Sequence, residues 1–440
     1  MMTPEALDKR DDNLRQSASI LEKGAYLGGI TAFGGIMVGI IAGLAGGGLF
    51  VPLAELLLSG YSGNPESALL AVIFLALFNM TLYLVLMVGV LAREIWGVIG
   101  AVLLIMLNIG LLIGLRFLPA VLFIGITGYA LYQMSHDLRA YRVNPLLLKE
   151  FRERMRGIRA FVVITVYLTL MAGFITLMYL TLTQSNPTMT VTGSLGRNLF
   201  RSVIGVQLIL TALIAPSFTA SAVSSEYERR TYDLLKITLL PSQSFIIGKL
   251  GSALSYIFLL LFAAIPIQSI AFLFGGVSQT ELFLTFIILI MPAVLLGTIG
   301  LYFAVTLQQT VTASIRSYLV GGGLMLILPN LILLITGGIK LVFNQWVEGS
   351  IPFQAGLAYI EQFAQSINPI TVLMHTQELI VFNQGLFFFS ETVFDGRSLV
   401  YIPLIAHWLM MFMIYSILSV AFVLLAVHKL KTDDAHVLTR

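Results

Sequence analysis

The polar residues best placed for specific chemistry lie in one charged segment between two apolar stretches. Residues 225–241 read Ser-Glu-Tyr-Glu-Arg-Arg-Thr-Tyr-Asp-Leu-Leu-Lys-Ile-Thr-Leu-Leu-Pro. Glu226 stands three and four residues before Arg229 and Arg230, a spacing that pairs opposite charges on one helix face. Leu234 and Leu235 add an apolar patch, and Pro241 cannot continue a helix. The segment therefore predicts that the preceding apolar helix continues as a charged extension.

Residues that usually carry catalysis or bind metals are sparse. The chain has no cysteine, which excludes disulfides, thiol catalysis and cysteine-ligated zinc. Its five histidines are scattered at 136, 375, 407, 428 and 436, and His407 is interpreted as a lone histidine with no ligand types nearby. No Gly-x-x-x-x-Gly-Lys-Ser/Thr phosphate loop is present. We therefore expect the chain to be no enzyme by itself and to bind neither cofactor nor metal.

A second polar segment has the pattern of a short amphipathic helix. Asn144 can cap a helix, and Pro145 suits its first turn. Glu150 and Arg154 form a favourable pair four residues apart. Apolar residues recur along one stripe at Leu148, Phe151, Met155 and Ile158. This pattern favours a helix in the membrane interface, with an ordinary basic linker as the alternative.

The elements that must position these segments are membrane helices. Hydrophobic residues make up 58% of the chain and charged residues 11%, so most of the surface must be solvated by lipid. We predict an all-α integral membrane protein with about ten transmembrane helices. The apolar segments of spanning length are residues 26–49, 68–91, 95–115, 117–134, 160–182, 199–223, 246–274, 282–307, 318–339 and 399–427.

The distribution of Lys and Arg sets the orientation. With the N-terminus inside, only Arg116, Arg197, Arg201, Lys340 and Arg397 of the 25 basic residues lie outside. A multi-pass protein with both termini cytoplasmic is therefore predicted. The predicted parts are a cytoplasmic N-terminal segment (1–24), a four-span module (25–136), the amphipathic segment (137–159), a six-span core (160–428, with polar segment 223–245 and outer loop 337–398) and a cytoplasmic tail (429–440).

The two polar segments together resemble parts of a known family. Ser-Glu-x-Glu-Arg-x-Thr-x-x-Leu-Leu-x-x-x-Leu-x-Pro, followed by Gly248-Lys249, resembles the cytoplasmic coupling segment of type-2 ABC exporter permeases. Residues 144–156 resemble the elbow helix ahead of the family's six spans. The resemblance covers about residues 144–440, and the four leading spans lie outside it. A glycine usually precedes the threonine in this family, and Arg230 stands there.

The resemblance implies the permease subunit of an ATP-driven exporter in the plasma (inner) membrane. Its partners would be the lipid bilayer, a second permease (the same or a related chain) and a separate ABC ATPase subunit that binds ATP and Mg; no nucleic acid is expected. The ATPase-coupling residues would be Ser225, Glu226, Tyr227, Glu228, Arg229, Arg230, Thr231, Leu234, Leu235 and Pro241. The elbow residues would be Asn144, Pro145, Leu148, Glu150, Phe151, Arg154 and Met155. The alternatives are a non-transporting membrane scaffold and a membrane-embedded enzyme.

Few polar residues remain inside the spans. Gln207, Gln268, Asn330 and His407 can line a pathway, although hydrogen bonding between helices is the commoner role for such residues. Asn79 and Asn108 are interpreted in the same way, as contacts between the leading helices. In the outer loop, residues 351–363 and 370–382 read as two helices, and the family carries short re-entrant helices there.

Overall fold

The computed structural model describes residues 16–33, 58, 65–92, 94–135, 147, 149–150, 158–185, 194–232, 241–343, 351–382, 385–394 and 399–438. The chain divides into two compact units, Met1–Asn144 and Pro145–Arg440. This division falls within residues 137–159, the segment that the sequence predicts between the four leading spans and the six-span core.

The first unit is helical. Residues 16–33 are helical, and three helices follow: α1 (Pro65–Leu91), α2 (Ile95–Gly114) and α3 (Ala120–Ser135). The Asn108 side-chain amide donates to the Asn79 side-chain oxygen at 2.8 Å, which confirms the predicted contact between the leading helices. Tyr83 of α1 donates to the carbonyl of Phe123 in α3 at 2.8 Å. Buried hydrogen bonds therefore join the three helices.

The described residues of the second unit form helices and a β-hairpin. In order, its elements are α4 (Ile158–Ser185), α5 (Ser194–Glu228), α6 (Ser242–Ala263), α7 (Ile265–Leu273), α8 (Gln279–Leu307), α9 (Thr310–Gly322), a π-helical turn (Gly323–Ile327), α10 (Leu328–Val342), α11 (Ile351–Ile367), α12 (Pro369–Val381), β1 (Phe388–Phe394), β2 (Leu399–Ile405) and α13 (His407–Leu438). The strands pair antiparallel, from Phe388 opposite Ile405 to Phe394 opposite Leu399. Helices α11 and α12 confirm the two helices predicted in the outer loop.

Eight helices within the described residues are long and apolar enough to cross a membrane, which fits an all-α multi-pass membrane protein. They are Ala71–Leu91, Ile95–Gly114, Phe161–Gln184, Leu195–Glu228, Ser242–Ala271, Gln279–Leu307, Thr310–Val342 and His407–Thr432. Each corresponds to a predicted span. The predicted span 26–49 lies largely outside the described residues.

Two predicted span boundaries are wrong. The predicted span 117–134 begins as a helix only at Ala120, because Arg116 adopts a left-handed φ of 50° in a tight turn before Pro119. With 16 residues, α3 is shorter than the other candidate spans. The predicted span 399–427 begins at His407, because residues 399–405 form β2.

Prolines interrupt the helices of the second unit. The predicted span 246–274 is divided at Ala264, so Pro266 lies in the first turn of α7. Pro329 lies in the first turn of α10, after the π-helical turn. Its missing N–H prevents one helical hydrogen bond, and Leu328 instead bonds to the carbonyl of Gly323. Pro216 and Pro292, by contrast, lie inside helices that continue past them.

Helices α5 and α8 pack closely beside Pro216, which lies inside α5. A Cβ atom at Gly300 of α8 would lie 2.8 Å from the Pro216 carbonyl oxygen and would collide with Thr219 Oγ1. The Thr219 hydroxyl donates to the carbonyl of Ala215 within its own helix at 2.9 Å. Gly300 therefore permits the close approach of the two helices at the centre of the second unit.

Candidate functional site

The charged end of α5 closes with a defined turn. The Thr231 N–H donates to the Glu226 carbonyl at 2.9 Å, and the Arg230 N–H donates to the Tyr227 carbonyl at 3.0 Å. These two bonds, with Arg230 in the left-handed region at φ 56°, form a Schellman C-cap. Glycine is the usual residue at that position because it carries no Cβ. Arg230 thus adopts a backbone conformation that glycine takes at lower cost.

A buried lysine lies beneath this turn. The Lys249 side chain of α6 is 3% exposed, and its Nζ lies 2.7 Å from Glu226 Oε1. It also contacts Glu150 Oε1. The Ser252 hydroxyl donates to Glu150 Oε2 at 2.8 Å, and the Thr231 hydroxyl donates to the Glu226 carboxylate. We call Glu150, Glu226, Thr231, Lys249 and Ser252 the Lys249 cluster.

The Lys249 cluster joins three parts of the second unit. Burying an ammonium group is costly unless carboxylates and hydrogen bonds compensate for the lost water. Here Glu226 comes from the end of α5, Lys249 from α6 and Glu150 from the segment predicted as the elbow. Separating Lys249 from both carboxylates would leave a buried charge without a partner, so these contacts favour a fixed relation between the three parts.

Aromatic rings pack beside the cluster. The ring centroids of Tyr227 and Tyr232 lie 4.5 Å apart, and those of Tyr232 and Phe245 lie 5.7 Å apart. Lys249 Nζ lies 5.8 Å from the centroid of the Phe245 ring, within the range of a cation–π interaction. The rings therefore fix the chain on both sides of the C-cap against the start of α6.

A third carboxylate connects the end of α5 to α9. Glu228 Oε1 accepts from the Thr310 N–H at 2.8 Å. The N-cap residue of α9, Gln309, makes no side-chain capping bond, so Glu228 takes over that role from another helix. A negative charge at a helix N-terminus is also favoured by the helix dipole. Residues 226–231 thus contact α6 through Glu226 and α9 through Glu228.

Some predicted features of this segment are wrong. The pairs of Glu226 with Arg229 and Arg230 do not form in the described structure, because α5 ends at Glu228 and Lys249 takes the Glu226 carboxylate. Helix α6 begins at Ser242 without a side-chain cap. Pro241 is the N-cap residue, with extended backbone and no side-chain capping bond.

Several predicted site residues lie outside the described residues. They are Leu234 and Leu235 of the charged segment and Asn144, Pro145, Leu148, Phe151, Arg154 and Met155 of the elbow. Ser225 lies in the last turns of α5, and Arg229 and Arg230 are exposed beyond its end. The pairing of Lys249 with Glu226 was not predicted, and its signal in the sequence is a single lysine within an apolar helix.

The polar residues inside the spans are used in different ways. Gln268 of α7 donates to the Gln207 side-chain oxygen of α5, and both are buried. This confirms hydrogen bonding between helices for that pair. Asn330 is exposed and donates to the Leu326 carbonyl at 2.7 Å, which satisfies an oxygen at the π-helical turn.

The interpretation of His407 as a lone histidine is wrong. Its ring stacks on that of His375, with centroids 4.5 Å apart. Its Nε2 lies 3.2 Å from Gln365 Oε1. The fold of α11, α12 and the hairpin over the start of α13 brings together residues that are distant in sequence. Among the described residues, no group of three or more His, Asp or Glu side chains is arranged to hold a metal ion.

Charged residues also meet at the opposite end of α5. Arg201 Nε donates to Gln377 Oε1 of α12 at 2.6 Å. Glu281, near the start of α8, is 2% exposed and lies close to Arg197, Arg201 and Gln377. The sequence analysis did not identify this group. Its members come from three helices, and no local spacing relates them.

No protein-family model matches the chain, and no curated protein matches it.

Proposed function

We propose that this chain is the permease subunit of an ATP-driven transporter of the type-2 ABC exporter class. The observation that carries the proposal is the Lys249 cluster, which links the charged end of α5 to α6 and to Glu150. A permease must pass a displacement from a separate motor protein into its membrane helices. A surface turn anchored by buried ion pairs suits that task better than a freely moving loop.

The exposed part of the same turn is the proposed contact with the motor. Arg229 and Arg230 project from the Schellman C-cap and are exposed. A displacement of Arg229 and Arg230 would move Glu226 as well. Lys249 would follow Glu226, because separating that buried ion pair costs free energy. The Glu228 bond to the Thr310 N–H would pass the same motion to α9. The turn therefore acts on α5, α6 and α9 together.

The proposed working unit contains two permeases and two ATPase domains in the plasma (inner) membrane. ATP and Mg bind to the partner ATPase, and closure of the ATPases moves the turn at residues 226–231. Because basic residues are concentrated on one side, we place that turn and both termini in the cytoplasm. Transport follows if the cargo binds differently to the two states of the pathway, and the family resemblance gives export as the direction.

Copurification tests the partnership. The tagged chain, isolated from its native membranes, should bring down an ATPase subunit that contains a phosphate loop. Adding the chain in lipid nanodiscs should raise the turnover of that ATPase. Hydrolysis of ATP by the chain alone would contradict the proposal, and so would a native complex without any ATPase. The second result is also the one expected of a scaffold.

A matched pair of variants tests the role of the turn. Glu226→Gln removes a carboxylate from a lysine pair at 2.7 Å, and we expect it to abolish most of the ATPase stimulation while insertion continues. Glu361→Gln removes a carboxylate from another lysine pair at 2.7 Å, that with Lys340. It should leave stimulation unchanged. Equal stimulation by both variants would show that the Lys249 cluster does not transmit the motion.

A further inference from the structure

Three aromatic rings form a stack where the hairpin and two short helices cover the start of α13. His407, the first residue of α13, stacks on His375 of α12 with centroids 4.5 Å apart and planes 14° apart. Phe389 of β1 lies near-parallel to the His407 ring, with centroids 5.5 Å apart. We call α11, α12 and the β1–β2 hairpin the lid. The two imidazoles thus join the lid to a membrane helix.

Other contacts hold the lid in the same place. The Trp408 indole donates to the Leu386 carbonyl at 2.9 Å, and the Ala406 N–H donates to the Phe387 carbonyl at 2.9 Å. The Gln362 side chain of α11 donates to the Ile405 carbonyl. These bonds are uncharged and do not change with proton binding near neutral pH, whereas the two histidines can bind protons in that range.

The two imidazole rings of the stack differ in their exposure and in their charged neighbours. His375 Nδ1 lies 3.2 Å from Glu378 Oε2, and both side chains are partly exposed. His407 is 4% exposed, and its Nδ1 has no hydrogen-bond partner. Other charged groups lie on the neighbouring elements. Glu361 of α11 is paired with Lys340, and Glu391 lies on β1. Arg201 of α5 is bonded to Gln377, and Glu281 of α8 is buried.

The closed stack disfavours two protons at once, because its two imidazole rings face each other. A second proton on His407 would set two positive rings face to face in a buried place. The positive N-terminus of α13 opposes that charge as well. The second proton is accommodated only when the rings separate and water reaches His407.

We propose that the His375–His407 stack makes the lid open in acid. The closed lid binds the second proton more weakly than the open lid does. Linkage then requires that closure is favoured at high pH and is lost as the pH falls. Histidines change charge between about pH 5 and 8, so the change falls in that range. This inference does not depend on the proposed transport function.

Hydrogen–deuterium exchange of the full chain in lipid nanodiscs tests the proposal. Peptides covering α11, α12 and the hairpin are followed at pH 8 and pH 5 in the wild type and in His375→Phe. Phenylalanine keeps a ring in the stack but cannot take a proton. Comparing the two proteins at the same pH removes the intrinsic pH dependence of exchange. His428→Gln, at an exposed histidine far along α13, is the matched control.

We expect equal exchange in the two proteins at pH 8. At pH 5 the lid peptides of the wild type should exchange about tenfold faster than those of His375→Phe, the factor for one unit of difference in proton affinity. His428→Gln should follow the wild type. Equal exchange in the wild type and His375→Phe at pH 5 would overturn the proposal. If His375→Phe misfolds, His375→Gln serves in its place, with the same expected result.

Discussion

The Lys249 ammonium lies 2.7 Å from the Glu226 carboxylate, although 23 residues separate the two in sequence. Glu226 lies in the last turn of α5, and Lys249 lies two turns into α6. Because Lys249 is buried, the pair is shielded from water and salt, unlike a surface ion pair. This relation fixes the start of one membrane helix against the end of another, and the first prediction tests its strength.

Replacing Lys249 by methionine should strongly destabilise the second unit. Methionine has a similar length but leaves Glu226 and Glu150 without their cation. Removing one partner of a buried ion pair costs about 3–5 kcal/mol. The free energy of unfolding in detergent, measured by denaturant titration, should fall by that amount. Lys340→Met is the control, since the half-exposed pair with Glu361 is worth about 1 kcal/mol or less.

The same experiment can be extended to separate charge from packing. The triple variant Glu150→Gln, Glu226→Gln and Lys249→Met removes all three charges at once. It should recover most of the lost unfolding free energy, because no uncompensated charge remains. If the triple variant is no more stable than Lys249→Met alone, the loss comes from packing around the lysine stem, and the ion-pair account is wrong.

Arg230 provides a test of backbone conformation. An L-residue in the left-handed region costs about 1–2 kcal/mol relative to glycine. Arg230→Gly should therefore be more stable to unfolding than Arg230→Ala by about 1 kcal/mol. Both variants lose the same charge, so the difference between them reports the φ of 56° alone. Equal stability of the two would mean that the C-cap does not persist at this position.

The helices were predictable because a lipid environment restricts the secondary structures that a chain can adopt. A chain in hydrocarbon must satisfy its backbone within each segment, so runs of about 20 apolar residues predict helices directly. Residues 399–405 were misplaced for the same reason. A short apolar run has the same sequence pattern whether it forms a buried strand or the start of a helix. The pairing of residues 399–405 with residues 388–394 identifies this run as a strand.

The site was less predictable than the helices. The sequence identifies Glu226, but it suggests local partners four residues away, and α5 ends before Arg230 can join the same helical face. The partner that Glu226 uses comes from the next helix, and the stacking of His375 on His407 depends on how the lid folds back. Spacing along a chain predicts contacts within one helix but not those between helices.

Gly300 tests the close packing of α5 and α8. Gly300→Ala should lower the free energy of unfolding by about 1–3 kcal/mol, the usual cost of overpacking. The added methyl would meet the Pro216 carbonyl and Thr219, and backbone cannot move aside cheaply. Gly337→Ala in α10 is the control, since nothing lies within 4 Å of its added Cβ. A Gly300→Ala protein as stable as Gly337→Ala would show that the two helices can separate freely there.

Two variants distinguish the two roles of Glu228, which are capping α9 and connecting α5 to α9. Glu228→Ala removes the acceptor for the Thr310 N–H, and losing a cap costs about 1 kcal/mol of unfolding free energy. Gln309→Asp supplies a capping carboxylate from the N-cap position itself, which makes no such bond in the native chain. The double variant should therefore regain the stability of the wild type.

The link to α5, however, is not restored by that second change. If motion passes from residues 226–231 to α9 through Glu228, the double variant should be stable and yet stimulate the proposed partner ATPase as weakly as Glu228→Ala does. Turnover of the ATPase in nanodiscs, measured beside unfolding of the same preparations, distinguishes the two roles. Stimulation that returns together with stability would assign Glu228 to capping alone and leave Glu226 as the connection between the turn and the membrane helices.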